Sequence, residues 1–430
     1  MSLPPALTFV VPTCGRPASI ERLLRALAQQ QTSAPFAVVI VSDGVPASRV
    51  GVPPSEAWPF AIRVETQARK GPAAARNLGA SIAQSDLLVF MDDDIEPGPS
   101  VVEAHLRFHA RRPGAIGAGS LDPVASHEGF LGSALAGWWE VMGDGLADPR
   151  HRFTFRDLLT GHCSMSRTTF AEVGGFDPAL ACHEDFDFGY RALAQNVPLA
   201  FVDGAAARHH DASDLPKILR RKVDEGIADV QLARKHPALA AALPLGRPLA
   251  DVRLARAVQR AALRRHGVND RLARGLPSLM SVFERTSMRD KWRETLERAM
   301  DYWYWRGVSE ALGPIQAVDA FRAGVERPLA EALDVDLAAG LDEVESTIDG
   351  VRPLALRVTL GGYLVGELPE VPGAERLRGV HLRPLIRKHL ADGYVQAAAS
   401  AGALPPPLQL IAARLRHRGE QPATARAAAA

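Results

Sequence analysis

Residues 87–97 read LLVFMDDDIEP, and no other stretch limits the possible folds so tightly. Five apolar residues between polar and turn residues predict a strand buried on both faces. Three carboxylates follow at once, and Pro97 stops any continuation. Carboxylates at the carboxyl tip of such a strand sit where open α/β sheets bind ligands. Three adjacent acids repel one another, so a positive partner is expected. Hard oxygen donors suit Mg²⁺ or Mn²⁺ shared with substrate phosphates. The simpler alternative is an acidic turn with a helix cap.

The residues on either side favour a sheet. Leu7 to Val11 predicts a first buried strand closed by Pro12-Thr13, and Ser19 can cap a helix from Ile20 to about Gln30. Phe36 to Val41 predicts a second strand ending in Ser42-Asp43-Gly44, and Ile62 to Glu65 a weaker third. A helix over Ala73 to Ala83 carries Arg76 and Asn77, and another covers about Ser100 to Arg111. Strands alternating with helices imply a mostly parallel sheet whose polar tips share one crevice. The first turn, Pro-Thr-Cys-Gly-Arg-Pro, is no GxGxxG dinucleotide fingerprint, and no Walker-type loop occurs. Residues 130–155, with Trp138 and Trp139, predict a loop-rich lid in which at least one tryptophan is ordinary core. Leu199 to Val202 is the last strand, followed by Arg208-His209-His210-Asp211.

A length of 430 residues predicts more than one domain, and 47% hydrophobic with 23% charged residues is a globular composition. A net charge of +1 gives no whole-protein field for nucleic acid. Three widely spaced cysteines, Cys14, Cys163 and Cys182, argue against a disulfide framework or a cysteine zinc site. Met1 to Pro5 lacks signal-peptide features, and no run approaches the roughly 20 apolar residues of a membrane helix. A soluble cytoplasmic protein is expected, with peripheral contact at the inner membrane face and self-association left open.

The ordered series VVPTCGRP, VSDG, KGPAAARNLG, FMDDDIEPG, GGFD and HEDFDFGYRAL resembles the inverting family 2 glycosyltransferases of GT-A fold, over about residues 7 to 235. The resemblance implies that Pro12, Thr13 and Asp43 hold the nucleotide base. Lys70 and Arg76 would line the diphosphate, with Arg16 among the donor-binding residues. Asp94 would ligate a Mn²⁺ or Mg²⁺ ion and Asp92 would face the ribose or the metal, with Asp93 able to exchange with either. Asp185 would be the general base and Glu184 would help to bind acceptor. Asp187 would cap its helix, and Arg191 would anchor the acids. His209 or His210 would be a third metal ligand or touch the diphosphate. His162 stands where many relatives carry Asn after a glycine, and would face donor sugar or acceptor. The Gln/Arg-x-x-Arg-Trp signature of processive synthases is absent after His210, which favours transfer of single sugars. The donor implied is a nucleotide-diphosphate sugar, used in bacterial glycan or glycoconjugate (polysaccharide) biosynthesis. The acceptor is open: a glycan, a lipid-linked glycan, a small molecule or a protein. The alternatives are a sugar nucleotidyltransferase or a non-catalytic GT-A-like scaffold.

The second half is predicted mostly helical: a basic helix over Asp214 to His236, a proline-punctuated connector over Pro237 to Pro248, an Arg-rich helix over about Asp251 to Arg274, and Lys291 to Leu312 with aromatics all round. The Arg-rich helix fits a solvated outer face better than a membrane surface. Pro353 to Leu368 predicts a hairpin turning at Gly361-Gly362, followed by a helix over Leu382 to Ala399. The expected divisions are a GT-A domain over 1–240 (Rossmann-like, mostly parallel sheet flanked by helices), a helical region over 241–345, a small ββα module over 346–415 and a disordered tail over 416–430.

Overall fold

A computed structural model describes residues 4–52, 58–124, 129–249, 252–264, 267–325 and 330–402. The expected tail lies outside the described residues. In chain order the first elements are β1 (Leu7–Thr13), α1 (Pro17–Leu27), β2 (Phe36–Asp43), β3 (Ala61–Gln67), α2 (Pro72–Ile82), β4 (Leu87–Met91), β5 (Ile95–Pro97) and α3 (Val101–Arg111). Next come β6 (Ile116–Ala118), β7 (Asp122–Pro123), α4 (Gly129–Gly143), β8 (His162–Ser166), α5 (Arg167–Val173), α6 (Glu184–Ala194), β9 (Leu199–Phe201) and β10 (Ala207–His209). The seven-stranded sheet has the order β3-β2-β1-β4-β8-β6-β9, with β8 antiparallel to both neighbours and the other pairs parallel. All five side chains of β4 are buried, each contributing roughly 1.5–3 kcal/mol of apolar burial. A small sheet β5-β10-β7 lies beyond the acidic tip, with β10 antiparallel to β5. It therefore carries His209 back towards the carboxylates.

Helices α7 (Leu215–Lys235), α8 (Arg253–Leu263), α9 (Val268–Arg285), α10 (Arg289–Leu312) and α11 (Ile315–Ala323) complete the first compact unit, residues 1–147 and 153–327. α7 crosses α10 closely enough that a Cβ on Gly226 would stand 2.2 Å from the Tyr304 carbonyl, and one on Gly307 2.0 Å from the Val223 carbonyl. Three sequence expectations change here. The stretch expected to be a loop-rich lid is helical over α4, because Phe130, Leu131 and Ala134 pack on Met280, Phe283 and Trp292. Tertiary packing overrides its four glycines. The Pro237 to Pro248 connector is two short 3₁₀ turns whose Leu239, Leu243 and Leu245 are fully buried against Tyr302 and Trp305. It is core, and no boundary falls there. The single Arg-rich helix is two, α8 and α9, with Gly267 at φ +124° before the second. The long aromatic helix forms as expected, its Tyr302, Tyr304 and Trp305 buried.

The second unit comprises residues 148–152 and 328–430. Its strands β11 (Ala332–Asp336), β12 (Ala355–Leu360) and β13 (Tyr363–Leu368) form one sheet, with helix α12 (Leu341–Val351) between the first two. The hairpin turns at Gly361 (φ +59°) and Gly362 (φ +82°), two successive positive φ angles that suit glycine. β11 extends the hairpin on the β12 side. The expected final helix is broken at Leu390 into α13 (Leu382–His389) and α14 (Ala391–Ser400). Arg378 donates to the carbonyls of Pro149 and His151, and Arg152 to that of Glu375, which fixes residues 148–152 within this unit.

Candidate active site

The acidic strand tip is neutralised by arginine within the chain. Asp92 donates its backbone N–H to the Gly161 carbonyl (3.1 Å). Its Oδ1 accepts from Arg76 Nη2 at 2.7 Å, and Arg76 Nη1 donates to Glu184 Oε1 at 2.6 Å. One buried guanidinium thus ties the tip of β4 to the first turn of α6. Burial pushes the Asp92 carboxyl up, but Arg76 holds it below the ordinary range. Asp93 is fully buried, accepting from Thr13 Oγ1 at 2.6 Å and from Arg16 through both carboxylate oxygens. Burial raises it to about 6 against the pull of Arg16. Arg16 Nη1 also donates to Asp94 Oδ2 at 2.7 Å. Charge repulsion among the three acids therefore does not by itself call for a metal.

The case for a cation rests on one oxygen. Asp94 Oδ1 is buried and accepts no hydrogen bond, and it faces His209 Nε2 at 3.6 Å. His209 Nδ1 is buried without a partner, and the ring packs edge-on to Trp139 at 4.2 Å. An unpaired carboxylate oxygen beside an imidazole nitrogen is a donor pair that suits Mn²⁺ or Mg²⁺. Among the described residues no three His, Cys, Asp or Glu side chains converge as a complete metal site, so phosphate or water would supply the remaining ligands. His210 is drawn elsewhere: its Nε2 pairs with Glu96 Oε2 at 2.5 Å, and its backbone N–H donates to the Asp94 carbonyl.

Asp185 lies beside Glu184 at the start of α6. Its Oδ1 accepts from the Phe186 N–H at 2.8 Å. Burial and the adjacent Glu184 push its carboxyl up to about 6, within the range of a useful general base. Before it stands His183 in the left-handed region (φ 61°), a conformation uncommon outside glycine and asparagine. His183 Nδ1 pairs with Asp229 Oδ1 at 2.9 Å, and Tyr304 Oη donates to Asp229 Oδ2 at 2.7 Å. The helices after the sheet domain therefore hold the turn that presents Asp185. Burial opposes the charged form of His183, but Asp229 raises its pKa. Asp187 is consumed structurally by Arg191 (2.7 Å) and His236 (2.8 Å).

The remaining expected positions divide. Asp43 accepts from the backbone N–H groups of Lys70 (2.7 Å) and Gly71 (3.0 Å) and from Gln67, which fixes the loop before α2, while Lys70 itself is exposed. Pro12 and Thr13 are buried at the end of β1. His162 does not face the crevice. Side chains alternate along β8, so His162 and Ser164 point to α3 while Cys163 and Met165 join the core around Phe90. His162 Nδ1 pairs with the Ser120 carbonyl, His162 Nε2 with His105 Nε2, His105 Nδ1 with Ser164 Oγ, and His109 Nε2 with the same hydroxyl. These bonds are mutually consistent with three neutral rings, and burial lowers all three, His162 and His109 to about 4. Sequence reading missed His105, His109, Asp229 and Tyr304 as partners, since no local pattern connects residues on separate helices. The αL residue before Glu-Asp likewise had no spacing signal.

Residues 8–174 match the family model described as glycosyl transferase family 2. The chain is 29% identical over 222 residues to an uncharacterized glycosyltransferase of Haemophilus influenzae, covering 48% of this chain and 71% of that one. It is 28% identical over 274 residues to validoxylamine A glucosyltransferase of Streptomyces hygroscopicus subsp. limoneus, covering 55% and 58%. A pre-mycofactocin glycosyltransferase of Mycobacterium tuberculosis is 27% identical over 175 residues, covering 39% and 36%. The chain thus spans little more than half, or less, of the length of the last two. Among solved structures, mannosyltransferase PcManGT from Pyrobaculum calidifontis in complex with GDP-Man and Mn²⁺ is similar at a TM-score of 0.42 and 15% identity, over 69% of this chain and 86% of that one. S. aureus TarS 1-349 in complex with UDP gives 0.40 and 15%, over 76% and 94%. The mostly parallel sheet with its acidic tip has the GT-A architecture, and its stretch over residues 8–174 is what matches glycosyltransferase family 2. Among the described residues no helix is long and apolar enough to cross a membrane.

Proposed function

We propose that the chain transfers one sugar from a nucleotide-diphosphate sugar to an acceptor hydroxyl with inversion at the anomeric carbon, in glycan or glycoconjugate biosynthesis. The observation that carries this reading is the pair of differently tuned carboxylates: Asp92 held ionised by Arg76, and Asp185 raised towards neutrality one arginine away. The acceptor oxygen forms its bond to the anomeric carbon as the bond to the diphosphate oxygen breaks. Asp185 takes the hydroxyl proton, and the nucleoside diphosphate leaves with the bonding pair. Glu184 keeps Arg76 oriented, and Arg76 orients Asp92 towards the donor. Arg16 and Lys70 are the cations available to the diphosphate. Asp94 and His209 are the proposed protein ligands of a divalent cation, which when bound would neutralise charge on the leaving diphosphate. His210 and His162 are assigned no ligand role.

The test is release of free nucleoside diphosphate from a panel of nucleotide sugars with Mn²⁺, Mg²⁺ or EDTA. Metal-dependent release from one donor supports the reading. Release that EDTA leaves untouched removes the metal from it. Turnover of a sugar phosphate with a nucleoside triphosphate would show a nucleotidyltransferase instead.

A further inference from the structure

In the first unit the exposed large apolar side chains are concentrated on neighbouring helices. All nine, among the described residues, are Trp138 and Val141 of α4 and seven between Val252 and Met288. The sheet region up to residue 124 exposes none. On α9, Val268 (69% exposed), Leu272 (68%), Leu279 and Val282 (43% each) recur at i, i+4, i+11 and i+14, so they form one stripe along the helix. That helix does have a buried side, with Ala273 and Met280 facing the core. The stripe is a second apolar face turned outward.

The same segment is strongly basic. Residues 252–289 hold nine arginines and two carboxylates, a net charge of +7 against +1 for the whole chain. Arg253, Arg256, Arg260 and Arg264 line a groove of about 430 Å³ together with Asn269 at the start of α9. Asp270, one of the two carboxylates, is largely buried, accepting from Tyr302 Oη. Arg253, Arg260, Arg264, Arg271 and Arg285 form no ion pair among the described residues.

We infer that α8 and α9 form a docking surface for a bilayer rich in anionic phospholipid, with the α9 stripe in the headgroup–acyl boundary and the α8 arginines on lipid phosphates. Exposed apolar residues flanked by arginine are the pattern of helices that lie in a membrane interface. A second copy of this chain is a poorer occupant, because it would set +7 against +7 at close range. The surface adjoins the active site: Glu284 of α9 accepts from the Phe130 N–H at 2.9 Å where α4 begins, and α4 carries Trp139 onto His209. Bilayer contact on α9 therefore touches the helix that covers the proposed metal position.

The experiment is co-sedimentation of the full chain with vesicles of phosphatidylcholine alone, and with about one-third phosphatidylglycerol, over a salt series. The expected result is binding to the anionic vesicles at least tenfold tighter than to the neutral ones, falling as salt rises. Two variants at exposed positions separate the contributions: Leu272→Asp with Val282→Asp, and Arg253→Glu with Arg260→Glu and Arg264→Glu. The arginine variant is expected to lose at least about a hundredfold in vesicle binding, from roughly fivefold per arginine near the surface, and the apolar variant at least about tenfold from lost apolar burial, each with an unchanged circular dichroism spectrum. Failure to bind anionic vesicles overturns the inference, as does equal binding by the variants. A dimer that Leu272→Asp with Val282→Asp splits, with no vesicle binding by the parent, would make this a self-association face instead.

Discussion

If Asp185 takes the acceptor proton, transfer must lose rate below pH 6. At a pKa of about 6 the carboxylate is about 91% ionised at pH 7 and about 9% at pH 5, so kcat/KM is expected to fall roughly tenfold between them. An unperturbed aspartate near 3.9 would stay more than about 90% ionised at pH 5 and give almost no fall. Asp93 is also raised to about 6, so the limb needs an owner. Glu184 separates the two, because its charge raises Asp185, whereas the charges raising Asp93 are mainly those of Asp94 and Asp92. Glu184→Gln keeps an acceptor for Arg76 Nη1 and removes that charge, so the limb should move to lower pH. Asp185→Asn should cut transfer by about 10²–10⁴ while donor binding by calorimetry stays the same. A limb unmoved in Glu184→Gln, or near-normal transfer by Asp185→Asn, would refute Asp185 as the base. The same shift has a stability sign. A carboxyl raised on folding contributes stability that is complete below about pH 4 and lost as pH rises through about 6. Asp185→Asn should therefore gain on the order of 2 kcal/mol over the parent at pH 8 and nothing at pH 4, read from urea unfolding.

Asp94→Ala and His209→Ala should each weaken Mn²⁺-dependent donor binding by at least about tenfold, whereas His210→Ala should not; equal effects in calorimetry would void the proposed ligand pair. Asp229→Asn removes the partner that raises His183, so a weaker cation stands near Asp185 and the acid limb should move to higher pH. Tyr304→Phe leaves Asp229 Oδ2 without its 2.7 Å donor and should cost about 1–3 kcal/mol in chemical denaturation. Gly226→Ala would force a Cβ to within 2.2 Å of a backbone carbonyl and should lower stability by about 1–3 kcal/mol. Gly137→Ala in α4 meets nothing within 4 Å and should raise it by about 0.5–1 kcal/mol.

What the sequence determined by itself was local and periodic. The apolar run of β4 with its acidic end, the strand–helix alternation and the Gly361-Gly362 turn are properties of a few adjacent residues, and each stands where its pattern predicted. The order of motifs was enough to indicate the family. Charge pairing was not legible, because it depends on residues far apart in the chain. Arg16 and Arg76 reach the acidic tip across 77 or more and 16 positions, and they take up the repulsion that the sequence alone assigned to a metal. Strand alternation, applied to β8 only once its neighbours were known, turned His162 inward to His105. The antiparallel return of β10 chose between two adjacent histidines, placing His209 beside Asp94 and His210 on Glu96. Only the packing of α7 and α10 against α6 could put Asp229 and Tyr304 behind His183, since burial and hydrogen bonding between distant elements follow from the folded geometry rather than from spacing.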